Sequence, residues 1–327
     1  MMKRGLAILA VLVVVASVAT AAPLRIFMNP KFTGLSYFQR CALGAGDAAK
    51  LLGVQFTYTG SEQPDVQLQV QALENIVSQK ADAIICSAID LNASAPPLRT
   101  ARSKGIKVVT YDADSAVDSR DFFCNQMDYE SAARAELDCA LLDSPEGGEI
   151  AFIAATPTSP NHMAHFNIAS QLVKTDPKYK SLKIVALQFD NDDEAQSVQV
   201  ATNLMQAFPK LKVIISSATP TVPGACRAIE ELGKQGQVFA TGVALPSTIK
   251  QYLKDGSQKA FFIWDPYWLG YMSMYVAKDA VDGTLKAVPG SKVDCGKAGQ
   301  FVVGKDGEIV YGKALFFTPE NIDQYNF

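Results

Sequence analysis

Several short stretches of this 327-residue chain gather side chains suited to recognising hydroxyl groups. They are Asn29-Pro30-Lys31-Phe32 with Tyr37-Phe38 just beyond, Asp112-Ala113-Asp114, Thr156-Pro157-Thr158-Ser159-Pro160-Asn161-His162, Asp190-Asn191-Asp192, Ser217-Ala218-Thr219, and Trp264-Asp265 leading into Pro266-Tyr267-Trp268. Carboxylates and amides accept from and donate to hydroxyls in pairs, and a lysine adds a charge-assisted donor. Aromatic faces pack on the C–H faces of a pyranose or furanose. The candidate binding residues are therefore Lys31, Phe32, Tyr37, Phe38, Asp112, Asp114, Asn161, His162, Thr219, Trp264 and Asp265. Structural roles stay open beside this one. Asp112 and Asp114 suit turns or helix caps, Asp265 before Pro266 suits a strand-to-helix junction, and Asn161 and His162 suit a helix start. Lys31 fits a solvated loop, and the aromatics fit a core. His165 reads as packing or surface.

Motifs for other chemistry are missing. The chain has no GxxxxGK[ST], GxSxG, HExxH or EF-hand loop. Gly44-Ala45-Gly46-Asp47-Ala48-Ala49 matches GxGxxA, but it falls inside a helical pattern rather than in the strand-to-helix turn a dinucleotide needs. With His162 and His165 the only histidines, a histidine-rich metal site is not expected, nor is a cofactor. Asp112 and Asp265 could form the acid/base pair of a sugar hydrolase, yet no nucleophile motif accompanies them, so the reading is of a binding protein and not an enzyme.

The elements that must position these residues alternate regularly. Strand patterns over 24–28, 54–58, 83–86, 107–111 and 122–125 enclose helical patterns over 35–52, 66–80 and 97–104, with Asp65 as an N-cap and Gly53 as a stop. The rhythm restarts with a helix over 129–142. Strands at 150–154, 183–188, 213–216, 238–241 and 260–264 then alternate with helices at 162–174, 194–208, 224–234, 247–253 and 269–281. This is an α/β pattern of parallel βαβ units. About ten such strands divide into two doubly wound lobes with a cleft between them. Runs at 301–303 and 308–311 around Lys305-Asp306-Gly307 predict a late hairpin. Ligands of open parallel sheets sit beyond the carboxyl ends of the strands, where the polar stretches above fall.

Residues 1–22 read as a cleavable export signal. Lys3 and Arg4 precede an apolar run from Leu6 to Val18, and Ala19-Thr20-Ala21 fits a small-x-small cleavage site. The run is shorter than the ~20 residues that span a bilayer. The chain carries 30 Lys+Arg against 33 Asp+Glu, and losing the signal takes its net charge from −3 to −5. No basic excess exists, so nucleic acid is not an expected partner. Hydrophobic residues make up 48% and charged residues 19%, an ordinary globular balance that excludes a disordered chain. Cys41, Cys86, Cys124, Cys139, Cys226 and Cys295 include no CxxC. Export permits disulfides, but the spacing selects no pairing.

The chain resembles the type I periplasmic substrate-binding proteins of sugar ABC importers, in the branch holding rhamnose-binding and autoinducer-2-binding proteins. The resemblance rests on Pro30-Lys31-Phe32-Thr33-Gly34, Ile84-Ile85-Cys86-Ser87-Ala88, Thr110-Tyr111-Asp112-Ala113-Asp114, Ile263-Trp264-Asp265 and the ending Glu320-Asn321-Ile322-Asp323-Gln324-Tyr325-Asn326-Phe327. It implies that Lys31, Asp112 and Asp265 contact ligand. Asn161-His162 stands where the autoinducer-2 branch places Asp-Gln, and Ser217-Ala218-Thr219 where it has Pro-Asp-Ala. Val243-Ala244-Leu245-Pro246 stands where the ribose-type pattern expects an aspartate. The family fold implies three crossovers, near 125–128, 262–266 and 295–299. That gives one lobe of 23–126 plus 265–296 and a second of 127–264 plus 297–327. The expected function is periplasmic capture of a monosaccharide, rhamnose-like or another small sugar or polyol, by hinge closure. A monomer would deliver it to a membrane permease. Alternatives are an autoinducer-2-binding protein and a sugar sensor for a chemoreceptor; a repressor's ligand domain is excluded by the export signal.

Overall fold

The structure is a computed structural model and describes residues 22–327, so the expected export signal lies, but for its last residue, outside the described residues. The first half runs β1 (Arg25–Asn29), α1 (Ser36–Leu52), β2 (Gln55–Tyr58), α2 (Val66–Ser78), β3 (Ala83–Cys86), α3 (Ala95–Ser103), β4 (Lys107–Tyr111) and β5 (Phe122–Asn125). The second runs α4 (Tyr129–Asp143), β6 (Gly148–Ala154), α5 (Pro160–Thr175), β7 (Leu182–Phe189), α6 (Glu194–Ala207), β8 (Leu211–Ser216), α7 (Thr221–Glu231), β9 (Phe239–Gly242), α8 (Pro246–Lys254) and β10 (Phe261–Ile263). The remainder adds α9 (Pro266–Asp282), β11 (Lys292–Asp294), β12 (Gln300–Val302), β13 (Glu308–Val310) and β14 (Leu315–Phe317).

Local chemistry sets the element ends. Asp65 Oδ1 accepts from Leu68 N at 2.8 Å, so the expected N-cap of α2 is in place. Gly53, at φ 66°, closes α1 in the left-handed conformation. The central strand β3 (Ala83–Cys86) is apolar and wholly buried, because helices cover both faces of the sheet there.

The two sheets repeat one plan. The first has the order β2-β1-β3-β4-β5-β13, parallel throughout. The second has β7-β6-β8-β9, also parallel. A bridge from Val243 to Phe262 extends it to β10, which pairs antiparallel with β14. Each sheet is thus completed at one edge by a strand from the C-terminal tail. This corrects two expectations. Residues 301–303 and 308–311 do not form a hairpin: β12 pairs with β11 and β13 with β5, leaving only the bridge from Val303 to Ile309 between them. Because β13 belongs to the first sheet and β14 to the second, the last crossing falls between residues 310 and 315, not at 295–299.

Helix α9 returns from the second sheet to pack on α1, and two glycines make that crossing possible. A Cβ on Gly44 would lie 1.9 Å from the Tyr267 carbonyl oxygen, and one on Gly270 would lie 1.9 Å from that of Cys41. The GxGxxA match is therefore a helix-crossing surface. All six cysteines are buried and unpaired.

Candidate functional site

The carboxyl ends of both sheets converge on one small cavity, where ligands of open parallel sheets sit. The first sheet's side contributes Lys31 after β1, Leu35, Tyr37 and Phe38 around the start of α1, and Asp112 after β4. The second contributes Asn161 and His162 from the first turn of α5, Asp192 after β7, Ser217, Ala218 and Thr219 after β8, and Val243 after β9. Trp264, where the chain passes from β10 to α9, completes the lining.

Polar contacts join the two sides. Lys31 Nζ donates to Asn161 Oδ1 at 3.3 Å and lies 3.9 Å from Asp112 Oδ2. Lys31 and Asp112 are only 4% and 5% exposed, so their charges face each other out of bulk water, where Coulomb interaction is strong. Ser87 Oγ donates to Asp112 Oδ2 at 2.8 Å. Asp112 has φ 59° and Asp192 φ 56°. The left-handed region is unusual outside glycine but tolerated by Asp and Asn, and such conformations gather at ligand sites.

Histidine 162 is fixed as a donor. Its Nδ1 accepts the Ala155 N–H at 3.2 Å, so in the neutral ring the proton sits on Nε2. Burial holds its pKa well below the ordinary value, and the Lys31 charge pushes the same way. Burial raises the Asp192 carboxyl; Lys31 opposes that rise and Asp112 adds to it.

Aromatic residues form an edge-to-face series beside these groups. Trp264 Nε1 donates to Tyr37 Oη at 2.8 Å, and the two rings meet at 90°. Tyr37 packs on Phe38 at a 5.1 Å centroid separation. Together the lining offers apolar rings, fixed donors and carboxylate acceptors, the combination that surrounds a small polyhydroxylated ring. Among the described residues, no group of three or more His, Cys, Asp or Glu side chains could hold a metal ion.

Lys31, Tyr37, Phe38, Asp112, Asn161, His162, Thr219 and Trp264 thus share one cavity, whereas three other candidates stand outside its lining. Phe32 sits behind Phe38, at 6.1 Å between centroids. Asp114 is held by Arg120 through two hydrogen bonds of 2.8 Å. Asp265 caps α9 through Tyr267 N and takes both arms of Arg40, at 2.6 and 2.8 Å. The Arg40 guanidinium also lies 4.3 Å over the Phe327 ring. Both aspartates are thus engaged by an arginine rather than facing the cavity. Beside the apolar Leu35, Ala218 and Val243, the polar lining residues outside the candidates are Asp192 and Ser217, in stretches already rich in polar groups. Their only sequence signal was position just after a strand.

The periplasmic binding protein domain matches residues 26–285, and the chain belongs to that family. It is 25% identical over 254 residues to the D-allose-binding periplasmic protein of Escherichia coli strain K12, covering 75% of this chain and 80% of that one. A solute-binding protein of an ABC transporter from Clostridium phytofermentas, solved with bound L-rhamnose, superposes with a TM-score of 0.88 at 26% identity, over 94% of this chain and 99% of that one. LsrB from Clostridium saccharobutylicum, in complex with AI-2, has a TM-score of 0.86 at 22% identity, over 93% of this chain and 100% of that one, a likeness of fold. Among the described residues, no helix is long and apolar enough to cross a membrane.

Proposed function

We propose that this protein is the exported binding component of a sugar ABC importer. It captures one monosaccharide between its two lobes and presents the closed complex to a membrane permease. The carrying observation is the cavity at the strand ends of both sheets, where Lys31, Asp112 and Asn161 already meet across the cleft. Lys31, Asp112, Asn161, His162 and Thr219 would hydrogen-bond the sugar, while Tyr37, Phe38 and Trp264 would cover its ring. Asp192 joins the acceptors. The relatives named for D-allose and L-rhamnose support an aldohexose or deoxyhexose as ligand. The three chain crossings between sheets serve as the hinge. Export rests on residues 1–22, and the solute-binding roles of the relatives make binding without catalysis the expected activity.

A thermal-shift screen tests this reading. A ligand that binds only the folded state raises Tm by mass action. L-Rhamnose or D-allose should raise Tm, and the sugar should be recovered unchanged. No shift with any monosaccharide would overturn the reading, as would turnover of a glycoside.

A further inference from the structure

Behind the cavity wall of the second lobe lies a buried polar cluster that the binding site as described does not use. Glu136, on α4, is fully buried. Its Oε1 accepts from Ser217 Oγ at 2.6 Å and from His165 Nδ1 at 3.0 Å. His165, on α5, is itself 1% exposed, and its ring meets Tyr129 edge to face at 5.7 Å. Glu136 Oε2 and His165 Nε2 find no hydrogen-bond partner. Of the cluster, only Ser217 reaches the cavity lining.

A serine hydroxyl has one proton and two lone pairs. A carboxylate accepts only, so the short contact to Glu136 takes Ser217's proton and points it away from the cavity. We propose that Glu136 is a positioning residue that fixes Ser217 as a pure acceptor, so this part of the wall selects a ligand hydroxyl able to donate. The inference rests on the sugar-capture reading. His165 holds the same oxygen from the other side and keeps Glu136 from turning. The second lobe then presents a defined alternation, with His162 Nε2–H as donor and Ser217 Oγ as acceptor.

The test uses the full mature chain with L-rhamnose, D-allose and their single-position deoxyfluoro derivatives, titrated calorimetrically. Fluorine keeps weak acceptor character and loses the donor. In the wild type, one position should lose about tenfold or more in affinity on fluorination, since a charge-assisted network is left unsatisfied. Ser217→Ala should erase that difference at the same position. Glu136→Gln lets Ser217 turn its proton to the cavity and should narrow it. Equal fluorine discrimination in all three proteins would overturn the assignment.

A ligand-independent arm uses the fact that the chain has only two histidines. In ¹⁵N spectra His165 should carry its proton on Nδ1, while His162 carries its on Nε2. A proton on Nε2 alone of His165 would overturn the Glu136 network even if neither sugar binds. If neither sugar binds and His165 shows the Nδ1–H form, L-rhamnose and D-allose are removed as ligands and the network stands.

Discussion

Asp112 is where the charge logic of the site concentrates. It faces Lys31, takes a hydrogen bond from Ser87, and holds a left-handed backbone that alanine adopts poorly. Asp112→Ala should abolish sugar binding, and Asp112→Asn, which keeps the backbone at ease, should weaken it by about tenfold or more. Circular dichroism should show both variants folded; undiminished affinity in either would remove Asp112 from the site. Asp265 makes the opposite case. Asp265→Ala loses a helix cap worth about 1 kcal/mol and frees Arg40, so Tm should fall while calorimetric affinity stays within about threefold. The contrast explains what was readable beforehand. Position after a strand is a local property, and it found Lys31, Asp112 and Asn161. An arginine 225 residues away is not local, so the sequence could not show that Asp265 is already occupied.

Element boundaries were legible for the same reason. Helix patterns over 35–52 and 66–80 became Ser36–Leu52 and Val66–Ser78, because caps and apolar periodicity act within a turn. The tail was not legible. Strands of three residues carry little periodicity, and β13 and β14 are placed by partners nearly 200 and about 50 residues upstream. The α1–α9 crossing is likewise a tertiary fact. Gly44→Ala would set a Cβ against the Tyr267 carbonyl, so it should cost about 1–3 kcal/mol or more in denaturant melts. An unchanged midpoint would deny the close approach. Helix α4 ends on Asp143, which is 2% exposed, and burial pushes its carboxyl up to about 8. An unfolded aspartate titrates near ~3.9. Between those values the folded chain keeps a proton that the unfolded chain releases. The Asp143 contribution is therefore present below about pH 4 and is lost as pH rises to about 8. The Tm advantage of Asp143→Asn over wild type should grow across that window; a constant difference would contradict it.

At the scale of the molecule, two copies of one sheet plan face each other, and the chain crosses between them three times. Each half alone offers only half a cavity: the first supplies Lys31 and Asp112, the second Asn161, His162 and Ser217. Binding therefore requires the halves to meet, and the Lys31–Asn161 contact shows them in that arrangement. A ligand buried there adds its contacts to both lobes only when closed, which is how a small sugar can bias a hinge.

The central claim is that this cavity holds a monosaccharide, and titration calorimetry on unfolded, dialysed and refolded protein tests it most directly. The panel should hold L-rhamnose, D-allose, ribose, other pentoses and hexoses, sugar alcohols and autoinducer-2. The account predicts one sugar bound at one site per chain at micromolar Kd or tighter, about −8 kcal/mol, and lost in Asp112→Ala. A folded sample that binds none of the sugars, or binds one equally well without Asp112, would contradict it.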